Sequence, residues 1–176
     1  MVDNTNFSKV SNVNIQKKKV LIPAEVLIEE LPLLEESFDT VTKSRDEVAE
    51  IVHGRDDRVV AVVGPCSIHD TKAAIEYAKK LKEQVSKFDK EVLILMRVYF
   101  EKPRTTIGWK GLINDPCLNN TCDINKGLRL ARKLLSDITA MGMPCTTEFL
   151  DVITPQYFAE LISWGAIGAR TVESQV

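Results

Sequence analysis

Cationic side chains recur directly after short apolar runs of the sequence, where a ligand would bind if those runs are parallel strands. Arg97 follows one run, Lys102 and Arg104 come a few residues later, and Arg170 follows another run. An arginine offers phosphate or carboxylate a planar fork of N–H donors, and a lysine offers a point charge. The backbone of Gly168–Ala169, just before Arg170, could add further N–H donors. We therefore expect a small ligand with several negative charges.

A cysteine and a glutamate occupy equivalent positions after two other runs. Cys66 comes shortly after Val59–Val63, and Glu148 lies near the end of a third run. A cysteine at the end of a buried strand is more often a small hydrophobic residue than a metal ligand, so spacing alone favours packing for Cys66. Cys117 and Cys122 lie in a polar stretch with no second pair to complete a tetrahedral zinc site.

The apolar runs predict the strands of a parallel sheet. They lie at Val59–Val63, Val92–Met96, Pro144–Phe149 and Ala166–Ala169. The first two are apolar throughout, which is typical of fully buried strands. Helical periodicity separates the runs, so the sequence predicts an α/β fold of about four βα units. Four such units would be half of a (β/α)₈ barrel, preceded by an N-terminal arm and helices.

Capping residues predict where two of the crossover helices begin. Asp70 or Thr71 is expected to cap the helix after the first strand. Thr154 is expected to cap the last helix, with Pro155 at its first position. That helix would run to Gly165, so its tryptophan at position 164 would pack on a helix. No glycine-rich phosphate-binding motif of the dinucleotide or P-loop type follows the first strand.

Composition limits the class of protein. The chain has 176 residues, a hydrophobic fraction of 44%, a charged fraction of 27% and a net charge of −2. So balanced a charge gives no overall field for nucleic acid or an anionic membrane. No apolar run approaches the roughly 20 residues of a membrane-spanning helix, and no secretory signal is visible. With only four cysteines, a cytoplasmic location is expected.

Several long stretches of the chain closely resemble the class I 3-deoxy-D-arabino-heptulosonate 7-phosphate (DAHP) synthases, in their microbial, aromatic-regulated branch. The resemblance runs from about Asp57 to the end of the chain and is weak in the N-terminal arm. The matching stretches are Gly64–Asp70, Met96–Thr106, Gly108–Pro116, Thr154–Tyr157 and Ser163–Thr171. Chance does not explain matches of this length.

The resemblance implies an enzyme that condenses phosphoenolpyruvate with erythrose 4-phosphate and water to give DAHP and phosphate. This is the first step of the shikimate pathway to the aromatic amino acids. The family uses a (β/α)₈ barrel and a divalent metal ion, which could be Mn, Fe, Co or Zn. By position in the motifs, Cys66 would bind the metal and Glu148 would lie near the reacting carbons. Arg97, Lys102 and Arg170 would contact phosphoenolpyruvate.

The remaining substrate contacts also follow from the resemblance. Backbone N–H groups of Gly168 and Ala169 would bind the phosphate of phosphoenolpyruvate. Arg104 and Thr105 would hold erythrose 4-phosphate.

The resemblance further implies feedback inhibition by an aromatic amino acid at Pro155 and Gln156. In related enzymes the N-terminal arm of a neighbouring subunit completes this effector site, so a homo-oligomer is expected for the intact protein. As a helix start, Pro155 needs no effector, and the two interpretations are compatible.

The length of the sequence leaves two interpretations of the whole chain. Residues 1–56 are expected to form the arm and helices, and residues 57–176 to form part of the catalytic barrel. The family's other metal ligands lie in the second half of the barrel, which this sequence does not contain. One interpretation is a truncated DAHP synthase that is inactive alone. The other is a non-catalytic remnant or regulatory half-barrel that binds phosphoenolpyruvate, an aromatic amino acid or a full-length partner.

Overall fold

A computed structural model describes Val13, residues 18–103 and residues 107–168. Its centre is a sheet of four parallel strands, ordered in space as in the sequence. The strands are β1 Val59–Val63, β2 Val92–Arg97, β3 Cys145–Phe149 and β4 Trp164–Ile167. Parallel neighbours need a crossover connection, and helices supply it here. The predicted α/β fold is confirmed, with the strand number of half a (β/α)₈ barrel.

Helices precede the sheet and cover it. They are α1 Ala24–Glu30, α2 Glu35–Val52, α3 Thr71–Phe88, α4 Ile124–Ala140 and α5 Pro155–Phe158, the last followed by a 3₁₀ turn at Ala159–Leu161. Asp70 caps α3, because its carboxylate accepts hydrogen bonds from the backbone N–H groups of Ala73 and Lys72. These bonds lower the pKa of Asp70. Of the two predicted caps, Asp70 is therefore the one used.

Helix α4 supplies much of the core. Its residues Leu128, Ala131, Leu135 and Ile138 are buried in the main apolar cluster, as their helical spacing predicts. Helix α2 packs against α4, and there buried small polar side chains make the contact. Thr139 Oγ1 of α4, for example, donates to a serine hydroxyl of α2 at 2.8 Å. Helix α2 thus lies against a helix that covers the sheet. The assignment of the arm and helices as a separate unit ending at residue 56 stays a prediction.

The prediction that β1 is fully buried is wrong. Val59 is 63% exposed and Val62 is 41% exposed, although Val60 is partly covered. Strand β1 lies at the edge of the sheet and pairs only with β2. Strand β4 is the other edge, where Ile167 is 74% exposed. Apolar edge strands of this kind are normally covered by a neighbour.

The last helix is much shorter than the sequence predicts. It becomes a 3₁₀ turn after four residues, well before Gly165. Two arginines, the exposed Arg45 and the buried Arg132, bind the carbonyl groups of this segment. Arg45 donates to the carbonyls of Ala159 at 2.8 Å and Ile162 at 3.0 Å, and Arg132 donates to a carbonyl in α5 at 2.7 Å. These carbonyl groups therefore accept hydrogen bonds from donors outside the helical pattern.

The start of α5 also differs from the prediction. The Thr154 side chain makes no capping hydrogen bond. Instead, Asp151 Oδ1 accepts from the N–H of Ile153 at 2.6 Å and of Thr154 at 2.8 Å. The Thr154 hydroxyl donates to Asp151 Oδ2 at 3.1 Å. Trp164 opens β4 and is 42% exposed, so its predicted place on a helix is wrong. In the part of the chain described, no helix is long and apolar enough to cross a bilayer.

Candidate functional site

Lys102 and Arg97 converge on Cys66 at the carboxyl edge of the sheet. Lys102 Nζ lies 2.9 Å from Cys66 Sγ and 3.1 Å from the Cys66 carbonyl oxygen. Arg97 Nη2 donates to the same carbonyl at 3.3 Å. Cys66 follows β1 and Arg97 ends β2, so the parallel pairing of these strands brings them together. Two predicted anion contacts and the predicted metal ligand therefore form one cluster.

Close backbone contact between the strand ends fixes Arg97. A Cβ atom built on Gly64 would lie 2.7 Å from the Arg97 carbonyl oxygen and 2.9 Å from the Arg97 Cβ, so only glycine fits there without a shift. Arg97 Nε is buried and has no hydrogen-bond partner among the described residues. Buried donors are normally satisfied, so a bound acceptor is the partner that this N–H lacks. An anion would supply that acceptor.

A hairpin-like contact holds the backbone of Lys102. The Lys102 N–H donates to the Lys110 carbonyl at 3.0 Å, and Glu101 forms an antiparallel bridge with Gly111. Gly111 has a φ of +111°, and a Cβ there would lie 2.1 Å from the Phe100 carbonyl oxygen. Another residue at this position would open the contact. The lysine therefore projects from a restrained backbone.

Glu148 and Gly168 lie at the ends of adjacent strands. Glu148 pairs in register with Ala166, and it is partly buried. A Cβ on Gly168 would lie 3.5 Å from Glu148 Oε1. The Gly168 N–H donates to the Phe149 carbonyl at 3.0 Å. A phosphate would have to take over that hydrogen bond, so the phosphate-binding role of Gly168 stays a prediction.

Four predicted site residues lie outside the described residues. They are Arg104, Thr105, Ala169 and Arg170. Their roles at the substrate phosphates stay predictions from the resemblance.

Cys66 and Cys145 differ in their suitability as metal ligands. Cys66 is exposed, whereas Cys145 in β3 is buried and burial raises its pKa. The small-hydrophobe interpretation therefore fits Cys145 and not Cys66. Cysteine binds metals as the thiolate, and a nearby cation such as Lys102 stabilises this negatively charged form. Over residues 18–103 and 107–168, no group of three or more His, Cys, Asp or Glu side chains could hold a metal. Cys66 can thus supply one ligand of a larger set.

Glu101 carries a carboxyl with a raised pKa that the sequence patterns do not single out. Burial, and then the negative charge of Asp151, raise the pKa of Glu101 from 4.5 to about 7. Asn114 Nδ2 donates to Glu101 Oε1 at 3.4 Å, and Thr154 also hydrogen-bonds this carboxyl. Glu101 and Asp151 each follow the end of a strand, and this position is the only feature of the sequence that indicates they lie near each other.

The predicted effector residues open α5 after β3. Pro155 occupies the first helical position and is partly buried, and Gln156 is exposed. The neighbouring Tyr157 hydroxyl donates to the Ile22 carbonyl at 2.7 Å. The segment that precedes α1 therefore contacts α5. The effector role of Pro155 and Gln156 stays a prediction.

Comparison with known proteins identifies the family of the chain. The profile of the DAHP synthetase I family matches residues 30–176. The chain is 57% identical over 165 residues to phospho-2-dehydro-3-deoxyheptonate aldolase of Haemophilus influenzae, which covers 94% of this chain and 46% of the relative. It is 55% identical over 165 residues to the Phe-sensitive aldolase of Escherichia coli K12, covering 94% of this chain and 47% of the relative.

A solved structure is also similar. The phospho-2-dehydro-3-deoxyheptonate aldolase structure from Francisella tularensis SCHU S4 aligns with a TM-score of 0.88 and 78% identity. The alignment covers 92% of this chain and 48% of that chain. The chain thus spans about half the length of the curated relatives just compared. Together with the strand order and the strand-end cluster, the profile match shows that the chain belongs to the DAHP synthetase I family.

Proposed function

We propose that this chain forms the first half of a DAHP synthase, which joins phosphoenolpyruvate, erythrose 4-phosphate and water to give DAHP and phosphate. The observation that carries the proposal is the convergence of Arg97 and Lys102 on Cys66. The buried Nε of Arg97, which has no hydrogen-bond partner among the residues that the structure describes, supports an anionic ligand at that position. The names of the relatives support the reaction.

The chemistry explains why cations gather here. The reaction brings two phosphates and a carboxylate close together, and fixed positive groups offset their repulsion. Arg97 would bind phosphoenolpyruvate through its fork, with Lys102 and Arg170 adding positive charge. Glu148, at the end of β3, would lie near the reacting carbons.

A divalent metal (Mn, Fe, Co or Zn) would polarise the aldehyde of erythrose 4-phosphate as a Lewis acid, with Cys66 as one of its ligands. Arg104 and Thr105 would hold the phosphate of this second substrate. Gly168 and Ala169 would contribute N–H donors to the first.

Regulation and assembly belong to the same proposal. An aromatic amino acid would bind near Pro155 and Gln156, and the Phe-sensitive name of the E. coli relative supports an effector of this class. The contact between Tyr157 and Ile22 supports participation of the N-terminal segment. The intact protein would be a cytoplasmic homo-oligomer.

The decisive experiment completes the barrel. We would join the chain to the carboxyl-terminal remainder of the F. tularensis relative, a protein that we call the barrel fusion. Phosphoenolpyruvate consumption is then measured with erythrose 4-phosphate and manganese. We expect turnover by the barrel fusion and none by the 176-residue chain alone.

The controls separate the two interpretations of the chain. A folded barrel fusion without turnover, together with phosphoenolpyruvate binding by the chain, would support a non-catalytic half-barrel. Turnover by the chain alone would contradict the need for a second half. The E. coli relative serves as the positive control for the assay.

A further inference from the structure

The backbone just before α1 is bound by a side chain of α4. Asn125 uses both ends of its amide, because its Oδ1 accepts from the Ile22 N–H at 2.9 Å and its Nδ2 donates to the Val20 carbonyl at 3.0 Å. Pro23 follows Ile22, and a residue before proline is disfavoured in the helical region. The backbone groups of residues 20–22 are therefore free to bond sideways, and Asn125 binds them as the backbone of a neighbouring strand would.

Tyr157 of α5 binds the same segment. Its hydroxyl donates to the Ile22 carbonyl at 2.7 Å, and Tyr157 is only 5% exposed. Breaking this bond would leave a buried hydroxyl without its acceptor, which is costly. Ile22 is thus held at its N–H by α4 and at its carbonyl by α5. We call the bonds from Asn125 and Tyr157 to residues 20–22 the N-terminal latch.

The N-terminal latch is connected to the predicted effector residues through α5. This helix is a single turn, Pro155–Phe158, in which Tyr157 directly follows Gln156. The Tyr157 carbonyl also accepts from Arg132 Nη1 at 2.7 Å, and Arg132 Nε donates to the Leu31 carbonyl just after α1 at 2.7 Å. Both ends of α1 are therefore fastened to α4 and α5. A shift of the segment before α1 would move the turn that carries Gln156.

We propose that Asn125 and Tyr157 are positioning residues of the effector site, because they hold residues 20–22 on α5 and so keep Pro155 and Gln156 in the arrangement that binds an aromatic amino acid. The proposal rests on the proposed function, since it assumes an effector site at these two residues. Coupling of this kind is reciprocal. An effector that needs the N-terminal latch closed must also stabilise the closed latch.

The first test measures the N-terminal latch without an effector. Exchange of the Ile22 amide hydrogen is followed by NMR in the 176-residue chain, with the amide of the buried Leu95 in β2 as the reference for an intact fold. We expect exchange at least about tenfold faster in Asn125→Ala, which removes the acceptor. Equal rates at Ile22, with Leu95 protected in both proteins, would overturn the proposal. If Leu95 is unprotected in the chain alone, the same comparison in the barrel fusion decides.

The second test measures inhibition in the barrel fusion by phenylalanine, tyrosine and tryptophan. We expect the half-inhibition concentration to rise at least about fivefold in Tyr157→Phe and in Asn125→Ala, because fewer molecules then hold the binding arrangement. The turnover number and the Michaelis constant for phosphoenolpyruvate should stay at the wild-type level, a separation that general damage to the fold would not give. Asn125→Asp keeps the acceptor and loses the donor, so it should fall between wild type and Asn125→Ala. Unchanged half-inhibition concentrations would overturn the proposal.

Two control variants separate the N-terminal latch from other effects. Tyr77→Phe removes a hydroxyl from a partly buried tyrosine of α3 and should be inhibited like the wild type. Arg129→Ala breaks an exposed ion pair with Glu30 at the other end of α1 and should also leave inhibition unchanged. If Arg129→Ala raises the half-inhibition concentration as much as Tyr157→Phe, loosening of α1 explains the effect and the proposal is wrong.

The wild-type barrel fusion distinguishes failure of this proposal from failure of the proposed function. If none of the three amino acids inhibits it, the effector part of the proposed function fails, and the positioning role fails with it. If one inhibits the wild type and the variants of Asn125 and Tyr157 equally, only the positioning role is overturned.

Discussion

The Arg97 guanidinium lies over the ring of Tyr99, with its Cζ atom 3.9 Å from the ring centroid. The ring supports one face of the guanidinium, and the Cys66 carbonyl accepts from its Nη2. Burial raises the pKa of Tyr99, so the ring stays neutral over the physiological range. The orientation of the arginine is therefore set before a ligand arrives, which reduces the entropic cost of binding.

Replacing Arg97 tests the anion site. In the barrel fusion, Arg97→Ala should raise the Michaelis constant for phosphoenolpyruvate at least about tenfold, because a charge-assisted contact is worth roughly 1.5–3 kcal/mol. Arg55→Ala is the matched control, since Arg55 is an exposed arginine paired with Glu50. An unchanged constant in Arg97→Ala would remove Arg97 from the site.

Replacing Cys66 tests the metal ligand. Cys66→Ser in the barrel fusion should raise the concentration of manganese or cobalt needed for activity and abolish a thiolate-to-metal absorption band. Cys117→Ser is the matched control, because Cys117 is also exposed and also lies beside a lysine, with Lys126 Nζ at 3.2 Å. Full activity of Cys66→Ser at an unchanged metal requirement would contradict the assignment.

Aromatic amino acids test the effector site. Phenylalanine, tyrosine and tryptophan are added separately at millimolar concentration to the barrel fusion, and we expect one of them to inhibit turnover. Gln156→Ala should raise the concentration that gives half inhibition, because the exposed Gln156 side chain would contact the effector. If all three amino acids leave turnover unaffected, this part of the proposal is wrong.

Arg132 is predicted to be important for stability. Its side chain is fully buried in the fold, and it donates to the Leu31 carbonyl at 2.7 Å and to Glu160 at 2.6 Å. Arg132→Ala leaves those acceptors without a partner, so the free energy of unfolding in urea should fall by about 3–5 kcal/mol. Arg129→Ala, which breaks an exposed ion pair, should cost at most about 1 kcal/mol. Equal effects of the two substitutions would contradict this argument.

The raised pKa of Glu101 predicts how stability depends on pH. The folded chain keeps the Glu101 proton up to about pH 7, whereas the unfolded chain releases it near 4.5. Stability from this group is therefore complete below pH 4.5 and is lost as the pH rises towards 7, by at most about 3 kcal/mol. Urea unfolding at several pH values measures this slope. Glu101→Gln should flatten the slope, and an equally steep slope in that variant would exclude Glu101 as its source.

The strands and their order could be predicted because apolar runs and helical periodicity are local signals. The runs beginning at Val59 and Val92 predict β1 and β2 to within a residue. The short α5 could not be predicted, because Arg45, more than a hundred positions away, binds the carbonyls that would continue a helix. The exposure of β1 likewise depends on its place in the sheet and not on its composition.

The candidate site also contains residues that could be predicted from the sequence and residues that could not. Arg97 and Lys102 are visible in the sequence because each is a cation after a strand, where parallel sheets bind ligands. The proximity of Glu101 and Asp151 was not predicted, because each acid alone resembles an ordinary loop residue. The effect of Asp151 on the pKa of Glu101 depends on how two loops about fifty residues apart in the chain lie in the fold, which spacing does not encode.

The close contact between Gly64 and Arg97 predicts the effect of mutations at Gly64. An alanine at Gly64 would change no charge and touch no substrate, yet it would push against the Arg97 backbone at 2.7 Å. Under the proposed function, such an allele would have the same effect as alleles of Arg97 in a genetic screen for aromatic amino acid requirement. We expect suppressor mutations among changes that let the end of β2 move outward. A mutational study limited to charged residues would not include Gly64.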